Sequence, residues 1–262
     1  MQKMKQKNKG LLYRTWRYST ALLGLQRCLV CQKNIPPCTK KRSALEYLTC
    51  HSCCQQLRGL YGVRCTQCGL TLGPRLQAFG WTHCRHCKTQ TTPQLQHTLV
   101  CADYHPPVDQ WITRLKYGKQ LPLAQFLGIW LADTASQSNA PRPDVLLPVP
   151  STPSKLRKRG YNQALLIAKT LGAELGIPVH TDWLIKRKES KNQAGLDRQA
   201  RLANLNDVFR STRPIAANMT IGLVDDVMTT GATFESCAHA LRKAGVQHIV
   251  MMAVYRTPEQ LT

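Results

Sequence analysis

The sequence predicts an α/β protein, a largely parallel sheet flanked by helices, preceded by a small cysteine-rich module. Three observations carry this reading. From Asp144 onward, short apolar runs of strand type alternate with helical periodicities. Ten of the twelve cysteines lie within residues 28–87. Charge is as lopsided as cysteine: the chain has 36 Lys and Arg against 14 Asp and Glu, and its first hundred residues set 16 basic residues against one acid, Glu46. Two modules with different work explain both asymmetries.

The elements follow in order. Residues 1–27 form a basic leader whose end, Tyr18 to Leu25, suits a helix. Residues 28–100 form the cysteine-rich module, closed by a polar connector from Thr89 to Thr98, and residues 101–262 form the α/β domain. After Pro106-Pro107, Trp111, Ile112 and Leu115 mark one helix, and Leu123, Leu127, Trp130 and Leu131 a second. Ala135 to Pro143 reads as a loop. Val145 to Leu147 is a buried strand stopped by Pro148 and Pro150. Residues 161–175 are helical, with Ala164, Ile167, Ala168, Leu171 and Leu175 on one face. Residues 183–209 are basic and lack periodicity. Ile221 to Val224 is a second buried strand, followed by a turn and a helix carrying Phe234, Ala238 and Leu241; Ile249 to Tyr255 is a third strand. No apolar run approaches the roughly 20 residues of a membrane span; the best, Leu121 to Ala132, is too short. Arg14 and Arg17 interrupt the N-terminal apolar positions, which argues against a secretory signal and places the protein in the cytoplasm.

Four C-x2-C pairs occur: Cys28/Cys31, Cys50/Cys53, Cys65/Cys68 and Cys84/Cys87. The spacing between pairs one and two, and between three and four, matches two-knuckle zinc sites. A two-residue spacer lets both thiolates of a knuckle face one tetrahedral ion. Two structural zincs are expected, since four sulfurs leave no open position for catalysis. Cross-pairing of the knuckles stays open at this point, with Cys54, His51, His83 and His86 as alternative ligands and Cys38, Cys101 and Cys237 as bystanders. A disulfide framework needs an oxidising compartment, to which nothing here directs the chain.

Ile221 to Thr233 reads IGLVDDVMTTGAT. A buried strand ends in Asp225-Asp226, and Thr229, Thr230, Gly231, Ala232 and Thr233 then open a helix. A helix N-terminus presents unsatisfied N–H groups to a phosphate, and two carboxylates beside it suit a vicinal diol. Phosphate beside a diol describes a ribose 5-phosphate. Neither G-x-x-x-x-G-K-[ST] nor a strand-borne G-x-G-x-x-G is present. The bland alternative is an Asp-rich turn with a threonine cap.

VDDVMTTGAT resembles the phosphoribosyl-pyrophosphate (PRPP) motif of type I phosphoribosyltransferases. The wider pattern is similar to the ComF/GntX-like family of competence-associated proteins: cysteine pairs, then LKYG (Leu115 to Gly118), LPVP (Leu147 to Pro150), RKRGYNQA (Arg157 to Ala164) and R-x5-Q-x2-L-x4-R-x2-N-x4-F (Arg187 to Phe209). The chain departs at Ser190-Lys191, where Thr-Pro is expected, at the extra Cys54 and in its long basic leader. The resemblance implies a type I phosphoribosyltransferase-like sheet behind a four-cysteine zinc-ribbon module. It implies that Asp225 and Asp226 hold the ribose hydroxyls and that residues Thr229 to Thr233 hold the 5-phosphate. Residues 149–163, with Lys158 and Arg159, become the pyrophosphate loop. Residues 186–206, with Arg187, Lys188 and Arg201, become a flexible loop. Tyr255-Arg256 falls at the rim near the acceptor, and Mg²⁺ accompanies the pyrophosphate. The residues agree in kind: Lys155, Arg157, Lys158 and Arg159 follow the first strand, and Arg187, Lys188, Lys191, Arg198 and Arg201 punctuate the aperiodic segment.

The excess positive charge of the first hundred residues suits a polyanion. Tyr13, Trp16 and Tyr18 lie near Arg14 and Arg17, and Trp81 near His83 and Arg85, a mixture fitted to single-stranded DNA. The competing reading is a basic zinc module that docks on its own domain or a partner. Three functions are therefore carried forward: a PRPP-binding phosphoribosyltransferase associated with DNA uptake or use, a non-catalytic single-stranded-DNA-handling factor, and a PRPP-sensing scaffold for a helicase-like competence protein.

Overall fold

A computed structural model describes residues 27–36, 43–89, 97–106, 108–187 and 208–258. Residues 1–26 of the leader, Cys38, Lys188, Lys191, Arg198 and Arg201 lie outside the described residues. The chain divides into two compact units, Met1–Leu60 and Tyr61–Thr262.

In the first unit, helices α1 (Ala44–Leu48) and α2 (His51–Gly59) follow a tight turn at Cys28. Ser43 caps α1 in a full capping box with Glu46, which satisfies two end-of-helix donors reciprocally. Leu45 and Leu57 are buried, and Ile35 packs with Cys28 and Cys53.

The second unit opens with α3 (Pro74–Ala78) and α4 (Arg85–Thr89) and runs into strand β1 (His97–Asp103). Then come α5 (Asp109–Tyr117), α6 (Pro122–Gln137), β2 (Val145–Pro148), α7 (Pro153–Arg159), α8 (Gln163–Leu175), β3 (Leu184–Lys186), β4 (Phe209–Ser211), β5 (Thr220–Met228), α9 (Ala232–Lys243) and β6 (His248–Arg256). The main sheet has the order β1-β6-β5-β2, parallel throughout. Its central strands are buried on both faces, as parallel strands between helices must be. Leu147, Leu223 and Met251 pack with Phe234, Ala238 and Leu241 of α9. Leu146, whose side chain points to the opposite face, meets Gly172 of α8. A Cβ at Gly128 of α6 would come within 2.6 Å of the Thr170 side chain, so α6 and α8 pack too closely there for anything larger.

The expected parallel α/β sheet between helices is present. Three elements differ from the sequence reading. Helix α6 runs to Gln137, into the stretch read as loop. Strand β1 adds an edge where the sequence suggested the end of a connector. The aperiodic basic segment begins and ends in the short antiparallel hairpin β3–β4. Among the described residues, no helix is long and apolar enough to cross a membrane.

Candidate functional site

A cavity of about 360 Å³ opens at the C-terminal edge of the main sheet. Each strand contributes a residue just past its end: Tyr104 after β1, Val149 to Thr152 after β2, Thr229 after β5 and Thr257 after β6. The helices that follow β2 and β5 pack on opposite faces, and it is at such a divergence that open α/β sheets form their ligand crevices.

Asp225 and Asp226 line this cavity together with Thr229 and Thr233. Each aspartate is held locally: Asp225 Oδ1 accepts from the Asp226 amide and Asp226 Oδ1 from the Val227 amide, both at 2.8 Å. Asp226 is 7% exposed and its Oδ2 lies 2.9 Å from Lys116 Nζ. Burial, and next the Asp226 charge beside it, push the Asp225 carboxyl up to about 8. Two adjacent carboxylates in a poorly hydrated site resist double ionisation, so Asp225 holds its proton more tightly than a free carboxyl does.

The Thr229–Thr233 turn enters α9 through Gly231, whose φ of 85° is left-handed and suits glycine. Gly231, the N-cap, has no side chain to offer the helix, and Thr230 Oγ1 accepts from the Ala232 amide at 3.3 Å. Of this turn, Thr229 and Thr233 reach the cavity wall, while Thr230, Gly231 and Ala232 shape the backbone.

The basic run after β2 is a short helix rather than a loop, and this sorts its charges. Lys155 and Arg159, one turn apart, line the cavity; Arg157 and Lys158 are outside its lining. Arg159 donates to Gln163 Oε1 at 3.2 Å. Gln163 lines the cavity and is 3% exposed, and its Nε2 has no hydrogen-bond partner among the described residues. Arg187 is exposed and lies outside this cavity. Tyr255 and Arg256 are buried, not at an open rim: the Tyr255 hydroxyl donates to Val108 O at 2.7 Å.

The structure adds residues that the sequence did not single out. Lys116 sits in LKYG on α5, and the Tyr161 hydroxyl, from RKRGYNQA, donates to the Leu115 carbonyl. The two motifs thus meet at one wall, where the Arg159 guanidinium also lies 5.6 Å from the Tyr117 ring. Lys186, Asn162 and Thr257 complete the polar lining.

The eight paired cysteines gather as Cys28, Cys31, Cys50 and Cys53, and as Cys65, Cys68, Cys84 and Cys87, each set within 4.8 Å. This settles the pairing that spacing left open. Within the sets, Cys31 and Cys50 sulfurs are 3.7 Å apart and Cys68 and Cys84 sulfurs 3.8 Å. A tetrahedron with metal–sulfur bonds of about 2.3 Å has edges of about 3.8 Å, so the donors fit zinc in kind and spacing.

No protein-family model matches the chain. Among curated proteins it is similar to competence protein F of Haemophilus influenzae, at 29% identity over 238 residues, 88% of this chain and 96% of the relative. It is 28% identical to the DNA utilization protein YhgH of Salmonella typhi, covering 79% of this chain and 90% of that one. It is 27% identical to the competence protein ComFC of Bacillus subtilis, covering 75% and 78%. Among solved structures, a purine phosphoribosyltransferase from Pyrococcus horikoshii aligns at 20% identity over 53% of this chain and 84% of its own, with a TM-score of 0.31. The glutamine PRPP amidotransferase of B. subtilis aligns at 21% identity over 50% and 25%, with a TM-score of 0.36. Two four-cysteine clusters and a parallel sheet thus accompany a similarity, along most of the chain, to proteins named for competence and DNA utilization, in keeping with the resemblance to the ComF/GntX-like family.

Proposed function

We propose that the cavity binds PRPP with Mg²⁺ and that the protein is a phosphoribosyltransferase-type factor in DNA uptake or use, the business named for its relatives. The observation that carries this reading is the sorting of charge around one crevice. An acid pair stands beside the entrance of α9, which bears Thr229 and Thr233, and Lys116, Lys155, Arg159 and Lys186 share the lining. That is the pattern a ribose with phosphate at one end and pyrophosphate at the other requires. Asp225 and Asp226 would take the ribose hydroxyls, the α9 entrance the 5-phosphate, and the cations of α5, α7 and β3 the pyrophosphate. A bound Mg²⁺ would supply neutralisation of pyrophosphate charge. In pentosyl transfer, the lysines and arginine would stabilise the departing pyrophosphate. Lys158 stands outside this arrangement, so the role the resemblance gave it passes to Lys155 and Lys116.

Calorimetric titration with PRPP and Mg²⁺ tests the reading, followed by pyrophosphate-release assays across candidate acceptor bases. Heat lost in Asp226→Asn supports it; no heat in the unmodified chain sinks it. The four-cysteine clusters would each hold one structural zinc, so metal analysis should return about two ions per chain.

Single-stranded DNA is the second proposed partner. The second cluster carries a stacking surface: Phe79 is 77% exposed, and Lys88 Nζ sits 3.7 Å over the Trp81 ring. Such rings among cations suit sequence-tolerant strand binding. Binding that weakens steeply with salt and in Phe79→Ala supports this role. PRPP binding without turnover would favour the non-catalytic DNA-handling reading over the enzyme.

A further inference from the structure

The second four-cysteine cluster is bonded into the sheet that carries the cavity. Three consecutive carbonyls of its first knuckle are taken by strand residues: Thr66 O by the Thr98 amide at 2.7 Å, Gln67 O by Thr98 Oγ1 at 2.6 Å, and Cys68 O by Arg256 Nε at 3.1 Å. Arg256 is the last residue of β6 and is 5% exposed. Its Nη1 donates to Thr257 O at 3.0 Å and approaches Met228 O at 3.5 Å. The Thr257 amide in turn donates to Met228 O at 2.9 Å, and the Tyr104 amide to Arg256 O at 2.8 Å. Thr257, Tyr104 and Thr229, the residue after Met228, all line the cavity. One buried guanidinium therefore holds the backbone of a metal-ligand residue at one end and two walls of the cavity at the other.

We infer that Arg256 is a positioning residue that links the second four-cysteine cluster to the phosphorylated-ribose site, so that metal in the cluster and ligand in the cavity strengthen each other's binding. The inference rests on the function proposed above. An emptied cluster frees the Cys65–Cys68 turn, and Cys68 O no longer has a fixed place. A buried guanidinium that loses an acceptor must find another, and the nearest carbonyls belong to the segments flanking Thr229 and Thr257. The first cluster serves as the internal control, since its ligands all lie within the other unit, Met1–Leu60.

Linkage makes the test reciprocal: ligand must tighten metal by the factor by which metal tightens ligand. The full chain, loaded with zinc, is titrated with a chromogenic chelator in Mg²⁺ buffer with and without PRPP. The two stripping steps are assigned with a Cys28→Ser chain, which lacks the first site. PRPP should raise the chelator concentration needed to strip the second cluster by about fivefold or more and leave the first unmoved. Arg256→Met should keep its zinc, lose that protection and weaken PRPP binding by the same factor; Arg256→Lys should recover part of both. Equal protection of both clusters, or of neither while PRPP still binds, overturns the inference and leaves the proposed function standing. A chain that takes up no PRPP overturns both. Should Arg256→Met fail to fold, the reciprocal titration of the unmodified chain decides the matter alone.

Discussion

The two four-cysteine clusters are built on the same turn and used differently. In the first, the Cys28 amide donates to Lys33 O and the Gln32 amide to Cys28 O; in the second, the Cys65 amide donates to Leu70 O and the Gly69 amide to Cys65 O. The short bridge Arg27–Asn34 recurs as Arg64–Thr71. Both turns place a left-handed residue after the second cysteine, Gln32 at φ 63° and Gly69 at φ 73°. The difference between those residues is instructive. A Cβ at Gly69 would lie 2.7 Å from Val100 Cγ2 and 2.9 Å from Thr98 Cγ2. Glycine is required there because β1 presses on the turn. One cluster folds a small unit, and the other is a wall of the sheet.

The sharpest way to break the comparison is to empty one cluster at a time. Structural zinc supplies about 10–16 kcal/mol in small peptides, so each loss should undo what its cluster supports. Cys84→Ser should halve the zinc content, lower the melting temperature of the sheet unit and weaken PRPP binding at least tenfold. Cys31→Ser should halve the zinc content as well, yet move PRPP affinity by no more than about twofold. Equal losses of affinity in the two variants would erase the distinction.

The next test is the ion pair each region uses. Arg64 Nη1 meets Asp103 Oδ1 at 2.7 Å with the arginine side chain 9% exposed, and Thr71 Oγ1 bonds the same carboxylate. Arg64 also donates to Gly69 O at 3.1 Å, so this arginine stitches knuckle to strand. Removing one partner of a buried pair strands the other, and Arg64→Met should cost the sheet unit about 3 kcal/mol by chemical denaturation.

How much of this is legible in the sequence differs between the regions in a physical way. Cysteine spacing alone announces two four-sulfur sites, and the buried runs Val145–Leu147, Ile221–Val224 and Ile249–Tyr255 announce three of the four parallel strands. The fourth, β1, hides behind a polar connector, because only Leu99 to Ala102 are apolar and its edge role needs the knuckle beside it. Hairpin β3–β4 has three residues per strand, too few for a period. Lys155 and Arg159 look equivalent to Arg157 and Lys158 until the run proves helical and divides them by face. Lys116 lies inside the LKYG motif, yet nothing local gives it a partner: it sits on an amphipathic helix like any solvated lysine, and only the fold brings it to Asp226. Lys188 and Arg201, assigned to a flexible loop from the resemblance, fall outside the described residues.

Acid–base behaviour separates the regions as well. Asp225 is an acid whose folded pKa is raised, to about 8, by burial and then by Asp226. The folded state thus keeps a proton that the unfolded chain releases near pH ~4. The sheet unit should therefore lose stability as pH rises from about 4 to 8, by at most about 1.4 kcal/mol per pH unit. Thermal melts between about pH 5 and 8.5 should show this slope, and Asp225→Asn should flatten it. Asp226→Asn removes the like charge and frees Lys116, so the Asp225 transition should move to lower pH.

The first unit should respond with the opposite sign and the least amplitude. The Glu46 carboxyl is held below its ordinary range chiefly by the Ser43 amide, with Arg58 at 3.0 Å adding to it. A depressed folded pKa gives stability that is complete above the ordinary glutamate range and is lost as pH falls through the folded value. Both partners are about one-third exposed, and solvent screens such pairs to about 1 kcal/mol or less. Glu46→Gln keeps a side chain able to accept from the Ser43 amide, because glutamine serves in a capping box as glutamate does. It should therefore cost no more than the screened ion pair, and it should abolish the acid-side slope of the first unit. Glu46→Ala, which removes the cap as well, should cost about 1 kcal/mol more. If Glu46→Gln instead proved as damaging as Arg64→Met, the first unit would depend on its ion pair as the second does, and the contrast between a self-contained cluster and a built-in one would fail at its weakest contact.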